Sequence, residues 1–96
     1  MKVYTIIWSP LAEETYLKTL SQILEIWTIK EVEEFEAKVE GLIATLRTQS
    51  RLCPPSGKHK NIRRCVIAPQ TSLVYQITDN TIELVAFFDN RSDSPY

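Results

Sequence analysis

The chain has 96 residues, enough for one domain with one core, burying about 60–65% of the surface its unfolded form exposes. Its 44% hydrophobic and 24% charged residues, with two Gly and five Pro, exclude a disordered or low-complexity polymer. The formal net charge of −1 excludes a bulk polycation, yet the charge is segregated: residues 41–78 hold six Lys and Arg and no acid, between acidic flanks.

Residues 2–8 (KVYTIIW) are β-branched and aromatic and predict a first strand, largely buried on both faces. Ser9 as an N-cap, Pro10 at the first helical position and Glu13 and Glu14 in the first turn then open a helix over residues 10–27. Its apolar positions are Ala12, Tyr16, Leu20, Ile23, Leu24 and Trp27, and both Trp8 and Trp27 are expected in core or interhelical packing. Thr28 and Glu31 have the spacing of a capping box and start a second helix with the stripe Val32, Phe35, Val39, Leu42, Ile43 and Leu46. With almost no loop between them, the helices should form an antiparallel hairpin. Residues 51–60 (RLCPPSGKHK) must be a surface loop. Strands are predicted at 62–68, 72–78 and 81–88, and their short connections permit only antiparallel neighbours. The expected fold is α+β, in the order βααβββ, with the helical hairpin covering one face of a three-stranded meander.

No apolar run approaches the roughly 20 residues of a membrane span, and residues 3–8 are too short for a secretory core. A cytoplasmic location without membrane contact is expected, with Cys53 and Cys65 as thiols. Cys53, His59 and Cys65 follow one another with five residues between each pair, which is not zinc-ligand spacing, so neither metal nor cofactor is expected. Cys65 reads as a small buried apolar group.

The acid-free window supplies the candidate site. Lys58, Lys60, Arg63, Arg64 and Arg91 are the candidate ligand-binding cations. Alternation along the strand puts Arg63 and Arg64 on opposite faces, so at most one of them looks into a cleft. Part of the asymmetry is helix physics, with Glu31, Glu33, Glu34 and Glu36 near one end of a helix and Arg47 and Arg51 near the other.

The Pro and Gly loop before the Arg pair, residues 72–76 (SLVYQ) and residues 85–93 (VAFFDNRSD) together resemble the RelE/ParE superfamily of bacterial toxins over nearly the whole chain. That resemblance implies the toxin half of a type II toxin–antitoxin pair, neutralised by a cognate antitoxin. Its members divide between nucleases that cut mRNA on the ribosome and inhibitors that bind DNA gyrase. For a nuclease, Arg63 and Arg91 would hold the phosphate while His59 or Tyr96 moved protons. Ser72 stands where RelE has an Arg, and Cys65 where a second basic residue is expected. A hydroxyl cannot grip a phosphate bidentately. Those two departures, and the Arg and Asp in the terminal DNRSD run, turn the expectation toward the gyrase-binding branch. An inactive relative that only binds antitoxin is the third alternative. The expected cleft lies between the loop at Lys58 to Lys60 and the strand ends at Arg63 and Arg91.

Overall fold

Ser9 sets the first boundary of the fold. In the computed structural model, which describes residues 2–59, 61–91 and 96, its backbone is extended and its hydroxyl accepts from the Ala12 amide at 2.9 Å. With Pro10 following, strand β1 (Thr5–Trp8) stops and helix α1 (Pro10–Ile26) starts. Trp27 is the C-cap of α1. Thr28 and Glu31 form the capping box of α2 (Ile29–Leu46). The Glu31 carboxylate accepts from the Thr28 amide at 2.9 Å and also from the Thr28 hydroxyl, holding the carboxyl below its usual range. Strands β2 (Ile62–Ala68), β3 (Thr71–Thr78) and β4 (Thr81–Asp89) complete the chain.

The expected element order and antiparallel meander are present. The four strands form one sheet in the order β1-β4-β3-β2, and β1 lies parallel to β4. That pairing requires a crossover, and the two helices supply it. A two-residue connection joins β3 to β4 between Thr78 and Thr81, and Asp79 enters it at φ +45°.

Two expectations are corrected. The first strand spans four residues rather than seven and lies at the sheet edge, with alternate side chains exposed rather than both faces buried. Trp27 caps the helix and is 62% exposed, whereas Trp8 packs against Tyr16 and Phe87, with centroids 5.2 and 5.7 Å away.

One face of the sheet carries Cys65, Leu73, Tyr75, Ile82, Leu84 and Phe87, which join Ala12, Phe35, Val39 and Leu46 of the helices in the core. Beyond Leu84 the start of α1 takes the place of β1 beside β4. Here Val85 is a bulge: Val74 pairs with Ala86 and Tyr75 with Leu84. Ser9 satisfies the backbone, its amide donating to the Leu84 carbonyl at 3.0 Å and its hydroxyl to the Val85 carbonyl at 2.8 Å. The Phe87 amide donates to the Thr15 hydroxyl at 2.9 Å. The bulge shifts the side-chain alternation by one residue, so that both Leu84 and Phe87 face the core while Ala86 and Phe88 face away.

Cys53 and Cys65 form a disulfide, correcting the expectation of two thiols. Composition and compartment carry no information on proximity. The loop before β2 pairs with its edge through an Arg64 amide to Pro54 carbonyl bond of 3.0 Å, bringing the Cys53 and Cys65 Cα atoms to 5.3 Å, within bridging range.

Candidate functional site

The sheet face opposite the helices carries Arg64, Ser72, Val74, Ala86 and Phe88, as the register requires: Arg64 is level with Val74 and Ala86, and Ser72 with Phe88. Arg64 reaches diagonally across it. Its Nε donates to the Ser72 hydroxyl at 3.3 Å and its Nη2 to the Asn90 side-chain oxygen at 2.9 Å. Its guanidinium carbon lies 5.0 Å from the centroid of the Phe88 ring, a cation–π arrangement. The buried Ser72 hydroxyl donates in turn to Asn90 Oδ1 at 2.5 Å. Asn90 ties this group to the β2–β3 turn, donating through its amide to the Gln70 carbonyl at 2.8 Å and through Nδ2 to the Pro69 carbonyl at 3.2 Å.

Two aromatic groups extend this cluster. Tyr96 lies with its ring centroid 6.3 Å from that of Phe88 and 6.3 Å from that of His59. Arg64, Phe88, Tyr96 and His59 therefore follow one another across the open face.

Arg63 and Arg91 lie elsewhere. Arg63, on the alternate face of β2 and level with Tyr75, donates from Nη1 to the Cys53 carbonyl at 2.6 Å. It lines a shallow groove with Arg51, Asn61 and Asp79. Arg91 follows Asp89, which is level with Thr71, four residues or about 13 Å further along β3. The Arg91 guanidinium pairs with the Asp89 carboxylate at 2.7 Å, with the Arg91 side chain 69% exposed. Hydrogen bonds from the Arg91 side chain and amide hold the Asp89 carboxyl down to about 2. The Arg63 and Arg91 pair expected from the sequence thus does not converge. Lys58 lies in the loop, its amide donating to the Ser56 hydroxyl at 3.3 Å, and Lys60 falls outside the described residues. Asn90 and Phe88 were not legible as site residues. Their only signal was the alternation that puts Arg64 opposite Arg63, and using it requires knowing the Val85 bulge.

A second surface lies at the helix connection. Leu17, Leu24, Ile26, Trp27 and Ile29 are all exposed. Trp27 stands between two grooves, one of about 250 Å³ bordered by Ile23, Phe88 and Arg91 and one of about 300 Å³ bordered by Phe35, Ala68 and Pro69.

Solved structures share this arrangement. A chain of the chromosomal ParDE toxin–antitoxin system of P. aeruginosa superposes with a TM-score of 0.75 at 7% identity, covering 91% of this chain and 96% of that one. A copper-bound mutant toxin from Helicobacter pylori gives 0.68 at 23% identity, covering 92% and 96%. The E. coli DinJ–YafQ toxin–antitoxin complex contributes a chain at 0.62 and 17% identity, covering 92% and 93%. This is the RelE/ParE-like fold. No protein-family model and no curated protein matches the sequence, so at these identities the likeness concerns the fold. Within the RelE/ParE-like fold, the Arg64 cluster is held by β2, β3 and the end of β4, and the apolar ridge by the helical hairpin.

Proposed function

We propose that this chain is the toxin of a type II toxin–antitoxin pair, acting in the cytoplasm by binding DNA gyrase in the ParE manner. One observation carries the choice of binding over cleavage. Arg63 lies on the opposite face of β2 from Arg64 and well along the sheet from Arg91, and each of the three already has an acceptor: the Cys53 carbonyl for Arg63, Ser72 and Asn90 for Arg64, and Asp89 for Arg91. Phosphodiester cleavage needs preorganised cations aimed at one phosphate, where charge rises in the transition state. A platform of Arg64 over Phe88 suits a protein segment instead, offering cation, ring and hydrogen-bonding groups in one patch.

A specific observation favours the second reading, an mRNA endonuclease acting on the ribosome. Of the two residues with the chemistry to move protons, Tyr96 lies beside Phe88, the ring under Arg64, and His59 lies beside Tyr96. Expression without antitoxin separates the two. Gyrase binding is expected to give DNA damage and lost supercoiling activity with intact transcripts. Transcripts cut on the ribosome, with supercoiling untouched, would overturn the gyrase assignment.

We further propose that the cognate antitoxin docks on the ridge of Leu17, Leu24 and Trp27, whose exposed apolar surface an amphipathic helix can bury. Trp27→Asp is expected to weaken antitoxin binding at least about tenfold, as loss of an aromatic anchor does, while growth arrest persists. Undiminished binding of that variant would remove the ridge from the interface.

A further inference from the structure

The loop between α2 and β2 is fastened to the sheet around one covalent bond. Cys65 stands on the core face of β2, level with Leu73, and is joined to Cys53 of the loop across a sequence separation of 12 residues. The surrounding fastenings are all noncovalent. The Tyr75 hydroxyl donates to the Ser50 carbonyl at 2.7 Å and accepts from the Cys53 amide at 3.4 Å. Arg63 holds the Cys53 carbonyl, and the Ser56 amide donates to the Ile62 carbonyl at 2.8 Å. Lys58 and His59 follow directly along the chain.

The rest of the fold does not route through this bond. The β2–β3 ladder runs from Ile62 to Ala68, and although both cysteines belong to the core cluster, its large buried side chains come from α2, β3 and β4. The disulfide closes a short ring, and the stabilisation of the whole fold by cross-linking grows only with the logarithm of ring length.

We propose that the Cys53–Cys65 disulfide is a redox-responsive clasp that sets the position of the loop bearing Lys58 and His59 beside the open sheet face. A reducing compartment favours the dithiol and an oxidising challenge the disulfide. In the reducing direction, the thiolate of a dithiol reductant attacks Sγ of Cys53, the more exposed of the two residues at 9% against 3% for Cys65. The S–S bond breaks, a mixed disulfide forms and Cys65 leaves as a thiolate. The second thiol of the reductant then displaces Cys53. The protein gains two electrons and two protons, and the reductant becomes a disulfide. Loss of the bond leaves the loop on its noncovalent contacts, and the loop opens locally while the helices and central strands stay closed.

The test compares the full chain, oxidised and after dithiothreitol, by thiol alkylation and by amide hydrogen exchange followed by mass spectrometry. The clasp is expected to show two alkylated cysteines after reduction. Exchange at Cys53, Ser56 and Arg64 should rise about tenfold or more, with α2 and β4 unchanged. Cys53→Ala/Cys65→Ala, without reductant, should reproduce the reduced pattern. Three results would overturn the proposal: a bond that resists the reductant, loop protection equal in both states, or acceleration of α2 and β4 together with the loop. The last would make the disulfide a staple of the whole fold. Neither growth nor any target enters the readout, so this test stands apart from the toxin assignment.

Discussion

The two faces of the sheet are built from the same strands by different rules. The helix-covered face is apolar and interdigitated, with Leu73, Tyr75, Ile82 and Leu84 fully buried under α1 and α2. The opposite face also buries Val74, Ala86 and Ser72, but it adds a polar group: Arg64 lies across Ser72 and Phe88 and is held by Asn90. Both faces gain stability from burial. The second also gains its shape from hydrogen bonds whose partners come from β2, β3 and the end of β4, and it keeps a cation and an aromatic ring only partly buried. The difference shows how a small sheet divides the work of folding from that of recognition along a two-residue period.

The strongest way to break that division is to cut into the core face. Leu84→Ala, at a position with no exposure, should cost about 2–5 kcal/mol, read as the shift in a denaturant midpoint. A cost below 1 kcal/mol would mean that the core is not where the stability lies. Tyr75→Phe keeps the ring and removes only the hydroxyl, leaving the Ser50 carbonyl and the Cys53 amide without it. A loss of about 1–3 kcal/mol is expected. Burial pushes the Tyr75 phenol above its usual value, so its contribution is complete below the unfolded phenol pKa of about 10 and lost as pH rises through the higher folded value. A stability profile flat through that alkaline range would contradict its burial. The smallest effect belongs to the exposed Asp89–Arg91 pair. Carbon-detected titration of Asp89 should give a midpoint of about 2, moving up toward the ordinary carboxylate range in Arg91→Ala. The lowered pKa makes the pair's contribution complete above the unfolded value near 4 and lost as pH falls through about 2, so no change is expected between pH 5 and 8.

The core face was largely legible in the sequence because its determinants are local. Ser9 with Pro10, Thr28 with Glu31, and the spacing of Val32, Phe35, Val39 and Leu46 each specify a boundary or a stripe within a few residues. The parallel partner of β1 was not legible, since pairing across a crossover leaves no mark on either strand. Nor was the open face. Alternation separated Arg63 from Arg64, but which of them met Ser72 and Phe88 depended on the register across two ladders and on a bulge at Val85 that no residue type announces. The sequence reading favoured Arg63 with Arg91. The fold brings Arg64 to the aromatic cluster and leaves Arg63 on the Cys53 carbonyl. The disulfide is a third case: residues 12 apart met because a loop folded back along a sheet edge.

Growth arrest by single variants, expressed without antitoxin and normalised to the level of folded protein, tests most directly that the open face around Arg64 is the working surface. Arg64→Ala is expected to abolish arrest, while Arg91→Ala, which removes only a surface ion pair, retains it. A folded Arg64→Ala protein that stops growth as well as the parent chain would contradict the account.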